Sequence, residues 1–395
     1  MRLYYITCEA LDPRSVAMIH TDAICNNLTI LGHSVLLFAP NSGEFEEKSY
    51  QVKSISTPRK AVSVFFQIKL FFRLRREIRN NRSDIIYIRN SQLLFMPAIV
   101  SRIFKIPLIL EANGKILEEI RQVKSSFLSR ILLAVGIYKF IESFNVKTAK
   151  KIIVVTEGIK EYFVENYKTS PDKIEVVANG VDTEFFKPMA VAEARRQIGL
   201  SNVCVSLTNT EPIYIGYTGS FYSWQGLRYI AEAAKIVAGK RLEAKFLIVG
   251  SGDERDYLTS FVKDNNLENS IEIRPAVSHD LVPLYTNALD ICLCYPTKFR
   301  AGATSPFKVY QYLACGKAVI LADIDGMREE FGDAVSYVEP ESSSALAEKI
   351  ISLIDDAESR KRLGSLGRQF VEQGRSWRAV AEKIERICEK AIKRL

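Results

Sequence analysis

The segment from Ala303 to Asp323 has the residue types and spacing of a phosphate site, because it predicts a helix start followed by a buried strand. Ser305 is a favourable helix cap, Pro306 suits the first helical position, and Gly316 is expected to end the helix. A helix start offers N–H donors and the positive end of the helix dipole, and Lys308 adds a full charge. Spacing alone fits an ordinary helix–strand unit equally well, so both interpretations stay open.

The elements that must position this segment form a regular alternation along the chain. Apolar runs of strand length alternate with amphipathic helical patterns. The predicted strands are Leu3–Thr7, Ser34–Phe38, Ile85–Ile88, Leu108–Leu110, Ile152–Val155, Ile174–Val177, Ile213–Tyr217, Phe246–Val249, Ile271–Ile273, Ile291–Cys294, Ala318–Ala322 and Val335–Val338. The predicted helices include 14–31, 192–198, 227–237, 254–265 and 344–355. This alternation is typical of parallel sheets covered by helices, and a ligand held between two such domains would lie at the carboxyl ends of the strands.

The domain organisation follows from length and from one polar stretch. A chain of 395 residues suits two domains, each with a sizeable core. The polar segment 201–212 predicts the boundary, which gives an α/β domain over 1–200, a second over 201–375 and a terminal segment over 376–395.

Composition predicts a globular protein with anionic partners. Apolar residues make up 47% and charged residues 25%, the net charge is +8 and the sequence pI is about 9.0. Seven scattered cysteines favour reduced core thiols in a cytoplasmic protein. The strand-like start at Leu3 leaves no room for a signal peptide, and the apolar run 131–138 is too short to span a bilayer.

Several familiar motifs are incomplete. Gly250-Ser-Gly252 follows a strand, but Arg255 stands where a dinucleotide fingerprint needs its third glycine. Asp323-Ile-Asp325 follows a buried strand and precedes a glycine, so we expect a turn rather than a metal site.

The histidines lie far apart in the sequence and are expected to be structural or exposed; they are His20, His33 and His279. No nucleic-acid-binding motif is present, and we expect no nucleic-acid partner.

Five segments in order resemble glycosyltransferase family 4, whose members are retaining, nucleotide-sugar-dependent enzymes with the GT-B fold. The segments are Asn179-Gly-Val-Asp182 followed by Phe186, then 219–227, 249–254, 305–308 and 316–320. Residues 31–35, 111–114, 155–158 and 376–377 add to the likeness, which extends over nearly the whole chain.

The resemblance implies two Rossmann-like, doubly wound parallel-sheet domains that face a cleft. The second domain would bind the nucleotide sugar, the first would bind the acceptor, and a final helix over about 377–394 would cross back to the first domain. It also implies no metal and no cofactor, because helix dipoles and basic side chains neutralise the leaving diphosphate.

The resemblance also assigns site residues in this sequence. Glu111, Asn113 and Lys308 would lie at the reacting centre, although Asn113-Gly114 fits a tight turn equally well. The residues implied for donor binding are Gly219, Ser220, Gln225, Gly250, Pro275, Val277, Ser305, Pro306, Phe307, Lys308 and Gln311.

This chain departs from the family pattern at charged positions. Ala303 and Gln311 stand where relatives often have two glutamates, and Ser220 and Gln225 replace an Arg/Lys pair. A neutral amide can accept a hydrogen bond but carries no charge. Lys308 is the candidate replacement for the missing cations. Arg300 is a second candidate, better explained as an exposed loop residue.

Two segments of the first half, 59–82 and 124–140, mix basic residues with aromatic and aliphatic ones. Such a pattern is typical of a helix on an anionic membrane surface, and equally of an ordinary surface helix with its apolar face in the core.

The resemblance therefore implies a metal-independent retaining glycosyltransferase that acts on a glycan or lipid-linked acceptor in surface polysaccharide or glycoconjugate synthesis. One alternative is a non-catalytic GT-B protein that binds a nucleotide sugar or glycan, or scaffolds a partner. Another is a nucleotide-sugar epimerase, which the scarcity of histidine disfavours.

Overall fold

The computed structural model describes residues 1–9, 15–40, 48–56, 62–90, 93–118, 136–200 and 211–393. The chain forms two compact units, one of Met1–Asn179 with Trp377–Leu395 and one of Gly180–Ser376. Residues 180–200, which the sequence boundary assigned to the first domain, lie in the second unit.

The first unit is built on a parallel sheet of seven strands in the order β3-β2-β1-β4-β5-β6-β7. Its strands are β1 Arg2–Ile6, β2 Ser34–Pro40, β3 Gln51–Ile55, β4 Ile85–Arg89, β5 Leu108–Ala112, β6 Lys151–Val154 and β7 Ile174–Val176. The sequence pattern missed β3, an edge strand with mainly half-exposed residues and no continuous apolar run. The carboxyl end of β5 is the part of this sheet that positions candidate site residues.

The helices that the structure describes in the first half include α1 Val16–Ile30, α2 Val62–Asn80, α3 Met96–Phe104, α4 Ile137–Thr148 and α5 Glu157–Tyr167. Helix α1 begins later than predicted, because the Ser15 hydroxyl accepts from the Met18 N–H at 3.1 Å and caps it. The candidate membrane segment 124–140 lies mostly outside the described residues, up to position 135.

The second unit contains a parallel sheet of six strands in the order β10-β9-β8-β11-β12-β13. Its strands are β8 Ile213–Ser220, β9 Ala244–Ser251, β10 Ile271–Arg274, β11 Ile291–Cys294, β12 Ala318–Ala322 and β13 Ser336–Val338. All six were predicted from their apolar runs. The chain order reverses between β8 and β11, so their carboxyl ends form the switch point where α/β sheets bind ligands.

The remaining helices are α6 Val191–Gln197, α7 Leu227–Ala238, α8 Arg255–Asp264, α9 Val282–Asn287, α10 Phe307–Ala314, α11 Met327–Phe331, α12 Ser343–Asp355, α13 Ala357–Glu372 and α14 Trp377–Lys393. Helix α14 belongs to the first unit and packs on α1. None of the helices within the described ranges is long and apolar enough to cross a membrane. The cysteines of these ranges are free, and all but Cys8 are buried.

Candidate functional site

Two glycines allow close packing at the carboxyl ends of β8 and β9, and one of them lies against a lysine side chain. Gly219 pairs with Gly250 in the sheet and has a φ of +147°. A Cβ on Gly219 would lie 3.1 Å from both Cε and Nζ of Lys308, and one on Gly250 would lie 1.8 Å from the Gly219 carbonyl oxygen. A side chain fits neither position without a shift, and of the residues implied by the resemblance Gly219 lies against both Gly250 and Lys308.

Lys308, in the first turn of α10, is held by neutral groups. Its Nζ donates to the Tyr217 hydroxyl at 2.8 Å and to Gln225 Oε1 at 2.7 Å, and lies 4.1 Å from the centre of the Tyr217 ring. The loss of hydration lowers the pKa of Lys308 to about 8. No carboxylate in the described part of the chain forms an ion pair with this ammonium group. It is therefore a positioned cation whose charge is available to an anionic ligand.

Two tyrosines that the sequence analysis missed connect α10 to the end of β8. The Tyr217 hydroxyl accepts from Lys308 and donates to the Ser220 carbonyl at 2.7 Å. The Tyr312 hydroxyl accepts from the Thr218 N–H at 2.8 Å. A signal existed for both, since Tyr217 shares a strand face with Gly219 and Tyr312 lies four residues after Lys308 on the helix.

The predicted cap of α10 is wrong. The helix begins at Phe307, and Pro306 occupies the cap position without a side-chain hydrogen bond. The Ser305 hydroxyl instead donates to Glu330 Oε1 at 2.6 Å, and the buried Tyr310 hydroxyl bonds the same oxygen. Burial raises the pKa of Glu330 to about 7, against the opposing effects of Ser305 and Arg375. The Ser305 hydroxyl thus bonds to the buried Glu330 carboxyl group instead of capping the helix.

Other predicted donor residues lie near this centre without contacting it. The Gln311 amide, one turn after Lys308, makes no side-chain hydrogen bond within the described residues. Arg300 donates to the Ala303 carbonyl at 3.5 Å. Pro275 and Val277 follow β10, so they lie at the same end of the sheet as Gly219. They are two strands away from it, because β9 separates β10 from β8.

Asp323-Ile-Asp325 forms the expected turn. The Asp323 carboxylate pairs with Arg328 at 2.6 Å, and the Asp325 carbonyl accepts from the Gly302 N–H at 2.8 Å. The structure, as far as it is described, shows no group of three acidic, histidine or cysteine side chains that could hold a metal ion.

The first unit brings Glu111 and Asn113 together at the end of β5. Glu111 is buried, contacts His20 Nε2, and accepts from the Tyr5 hydroxyl at 3.2 Å and from Asn113 Nδ2 at 2.7 Å. Burial alone would raise the pKa of Glu111, but the charge and hydrogen bond of His20, with Arg89, bring it to about 2. The carboxylate therefore stays charged and can only accept hydrogen bonds.

Glu111 fixes the orientation of the Asn113 amide, because the NH₂ group must face the carboxylate. Asn113 Oδ1 is buried and has no partner in the described structure, which leaves an acceptor for a hydroxyl group. His20 was expected to be structural or exposed. It is buried beside Glu111, and its ring meets the edge of the Trp377 ring with centroids 5.4 Å apart.

Sequence comparison covers both halves of the chain. Residues 17–185 match the family model described as Glycosyltransferase Family 4, and residues 204–370 match the model described as Glycosyl transferases group 1. The chain belongs to glycosyltransferase family 4. The resemblance predicted from the motifs is thereby confirmed.

Known relatives align over most of the length of this glycosyltransferase. An uncharacterised glycosyltransferase of Methanocaldococcus jannaschii is 23% identical over 91% of both chains. The N,N'-diacetylbacillosaminyl-diphospho-undecaprenol alpha-1,3-N-acetylgalactosaminyltransferase of Campylobacter jejuni is 24% identical over 85% of this chain and 84% of its own. The structure of Anabaena HepE in complex with UDP has a TM-score of 0.75 and 19% identity, covering 99% of this chain and 100% of that one. The likeness confirms the GT-B fold.

Proposed function

We propose that this glycosyltransferase is a retaining, metal-independent enzyme that moves a sugar from a nucleotide-diphosphate sugar to a lipid-linked glycan acceptor. The observation that carries this proposal is Lys308, a cation without a carboxylate partner in the described structure, held beside Gly219 at the start of α10. A helix start and an ammonium group together favour an anion such as a diphosphate.

The chemistry needs positive charge where the leaving diphosphate gains negative charge. Ser220 and Gln225 supply none, but the Gln225 amide oxygen and the Tyr217 hydroxyl hold the Lys308 ammonium in place. A positioned charge of this kind contributes about 10²–10³ in rate. The leaving phosphate then deprotonates the acceptor on the same face of the sugar, which retains the anomeric configuration.

The first unit would supply the contacts to the reacting hydroxyl group of the acceptor in this proposal. Asn113 Oδ1 is the unpaired acceptor atom, and the charged Glu111 holds it in place. We assign Asn113 to a substrate hydroxyl and Glu111 to the orientation of Asn113.

A membrane-bound acceptor is supported by one face of α2. Phe65, Ile68 and Phe72 are 48%, 50% and 62% exposed and follow one another at helical spacing. The same face continues with exposed basic residues, namely Lys69, Arg75, Arg76 and Arg79. Apolar and basic side chains on one helix face suit an anionic, cytoplasmic membrane surface. The acceptor named for the C. jejuni relative, a diphospho-undecaprenol glycan, has the corresponding chemistry.

The test is a transfer assay with UDP-, GDP-, dTDP- and ADP-sugars and undecaprenyl-diphosphate-linked saccharides as acceptors. We expect transfer with retained anomeric configuration, read by NMR of the product. Lys308→Ala should lower kcat/KM by about tenfold or more, and Lys308→Arg should keep most of the activity because it keeps the charge.

Three outcomes would contradict the proposal. Binding of nucleotide sugars without turnover would indicate a non-catalytic binding protein, and an altered donor sugar without transfer would indicate an epimerase. Unchanged kinetics of Lys308→Ala would remove Lys308 from the diphosphate site.

A further inference from the structure

An aromatic cluster lies next to Lys308 and has no part in the function proposed above. We call Tyr222, Trp224 and Phe299 the aromatic platform. The rings of Tyr222 and Trp224 are stacked with centroids 4.6 Å apart at 22°, and Phe299 meets Trp224 with centroids 6.4 Å apart at 61°. Tyr222 is 41% exposed, so part of its side chain is accessible to a ligand.

The platform is held rigidly by the loops that follow β8 and β11. The Thr297 N–H donates to the Trp224 carbonyl at 3.0 Å and joins the two loops. Gly226 packs so closely that a Cβ there would lie 2.1 Å from the Tyr295 carbonyl oxygen. A surface that is already ordered costs little conformational entropy when a ligand binds.

The platform is continuous with the candidate diphosphate site. Trp224 directly precedes Gln225, whose amide oxygen accepts from Lys308 Nζ at 2.7 Å. Strand order separates it from the expected base site, because β11 lies on one side of β8 while β9 and β10 lie on the other. Pro275 and Val277 follow β10, so they lie on the other side of β8 from β11, the strand whose following loop carries Phe299.

The polar edges of the platform suit a sugar better than an acyl chain. Neither the Tyr222 hydroxyl nor the Trp224 indole N–H pairs with another residue of the described ranges. Aromatic side chains of this kind offer an apolar face with a polar handle at the edge. The C–H face of a pyranose ring stacks on such a face while its hydroxyl groups reach the edge.

We propose that the aromatic platform binds a sugar ring of the acceptor, with the outer face of Tyr222 stacked on the pyranose and Trp224 supporting it from behind. This inference rests on the proposed function and adds a saccharide subsite to it. In the proposed function the transferred sugar would be attached to the diphosphate beside Lys308, and we assign the exposed Tyr222 ring to the next sugar unit.

Intrinsic fluorescence tests the subsite without turnover, because the chain has only two tryptophans, Trp224 and Trp377. Wild type, Trp224→Phe and Trp377→Phe are titrated with the methyl glycosides of glucose, galactose, N-acetylglucosamine and N-acetylgalactosamine, and separately with UDP. We expect at least one glycoside to change the emission of wild type and Trp377→Phe but not of Trp224→Phe. If Trp377→Phe fails to fold, wild type against Trp224→Phe gives the same comparison.

Tyr222→Ala should weaken that glycoside's binding about fivefold, the effect of losing about 1 kcal/mol of ring contact. Phe185→Ala is the matched control, since Phe185 is 39% exposed in the same unit, and it should bind like wild type. The proposal is overturned if no glycoside changes Trp224 emission, if UDP alone does so, or if Tyr222→Ala binds normally. Glycoside binding without any transfer would instead contradict the proposed enzyme and leave the subsite standing.

Discussion

Lys308 carries the charge of the candidate diphosphate site, and its protonation sets the pH range in which that charge is present. Burial lowers the pKa of Lys308 to about 8, so the free enzyme loses the ammonium charge as pH rises through that value. We expect kcat/KM for the donor to fall above about pH 8 in the wild type. Lys308→Arg should show no such fall, because a guanidinium stays charged.

Profiles of kcat/KM and kcat between about pH 6.5 and 9.5 check this expectation. A bound diphosphate favours the ammonium form, so the fall in kcat should occur at higher pH than the fall in kcat/KM. Superimposable wild-type and Lys308→Arg profiles would show that another group titrates.

Glu330 gives a second prediction, on stability rather than rate. Burial raises the pKa of Glu330 from 4.5 to about 7 in the folded protein. The stability that the protonated Glu330 carboxyl contributes is therefore fully present below pH 4.5, the pKa in the unfolded chain, and is lost as pH rises through about 7. Glu330→Gln keeps an oxygen for Ser305 without a charge. We expect it to raise the thermal unfolding midpoint by about 3 °C near pH 8 and hardly at all near pH 5. An equal gain at both pH values would indicate packing instead of charge.

The residues that sequence reasoning missed are those whose partners are far away along the chain. His20 contacts Glu111, which is 91 residues away in the sequence, and Tyr217 accepts from Lys308 at the same sequence separation. The local pattern at Ser305 predicted a cap, but Glu330, which is 25 residues away, takes its hydroxyl. Local sequence indicates which hydrogen bonds a side chain could make with its neighbours in the chain. Burial and tertiary contacts determine which of these bonds forms in the folded protein.

At the scale of elements, prediction depended on burial. Every residue of β12 is buried, so the strand shows in the sequence as an unbroken apolar run. β3, at the edge of its sheet, has one fully buried residue among five and gives no such signal. The helix pattern of α2 was clear, but the sequence did not say which of its phenylalanines face the core. The structure buries Phe66 and exposes Phe65 and Phe72.

The exposed face of α2 predicts binding to anionic membranes. Co-sedimentation should show the wild type on phosphatidylglycerol-containing vesicles, with little on pure phosphatidylcholine and less at high salt. Replacing Phe65, Ile68 and Phe72 together with serine should weaken binding about tenfold or more, because three apolar side chains lose their membrane contact. Ile30→Ser is the control, since Ile30 is equally exposed but lies on α1. This role would be contradicted if the wild type bound equally to both vesicle types. It would also be contradicted if the triple variant bound as tightly as the wild type.

At the scale of the whole molecule, the chain completes its first unit only with its last helix. Helix α14 follows the second unit in sequence but packs on α1. Its buried face includes Val380, Ile384 and Ile387, and Glu385 bonds His33 Nε2 at 2.7 Å. The resemblance implied that a final helix crosses back, but composition and periodicity gave no indication of its partner.

This connectivity predicts that the two units respond differently to truncation. Deleting 377–395 should uncover the core side of α1 and cost several kcal/mol, since a fully buried aliphatic side chain is worth about 1.5–3 kcal/mol. Hydrogen exchange measured by mass spectrometry should then rise across α1 and its sheet while β8 to β13 keep their protection, and a fragment of 180–376 should fold alone. Removing only 394–395 is the control and should change nothing. Faster exchange in β8 to β13 of the truncated chain would mean that α14 also stabilises the second unit, and the division into two separately folding units would then be wrong.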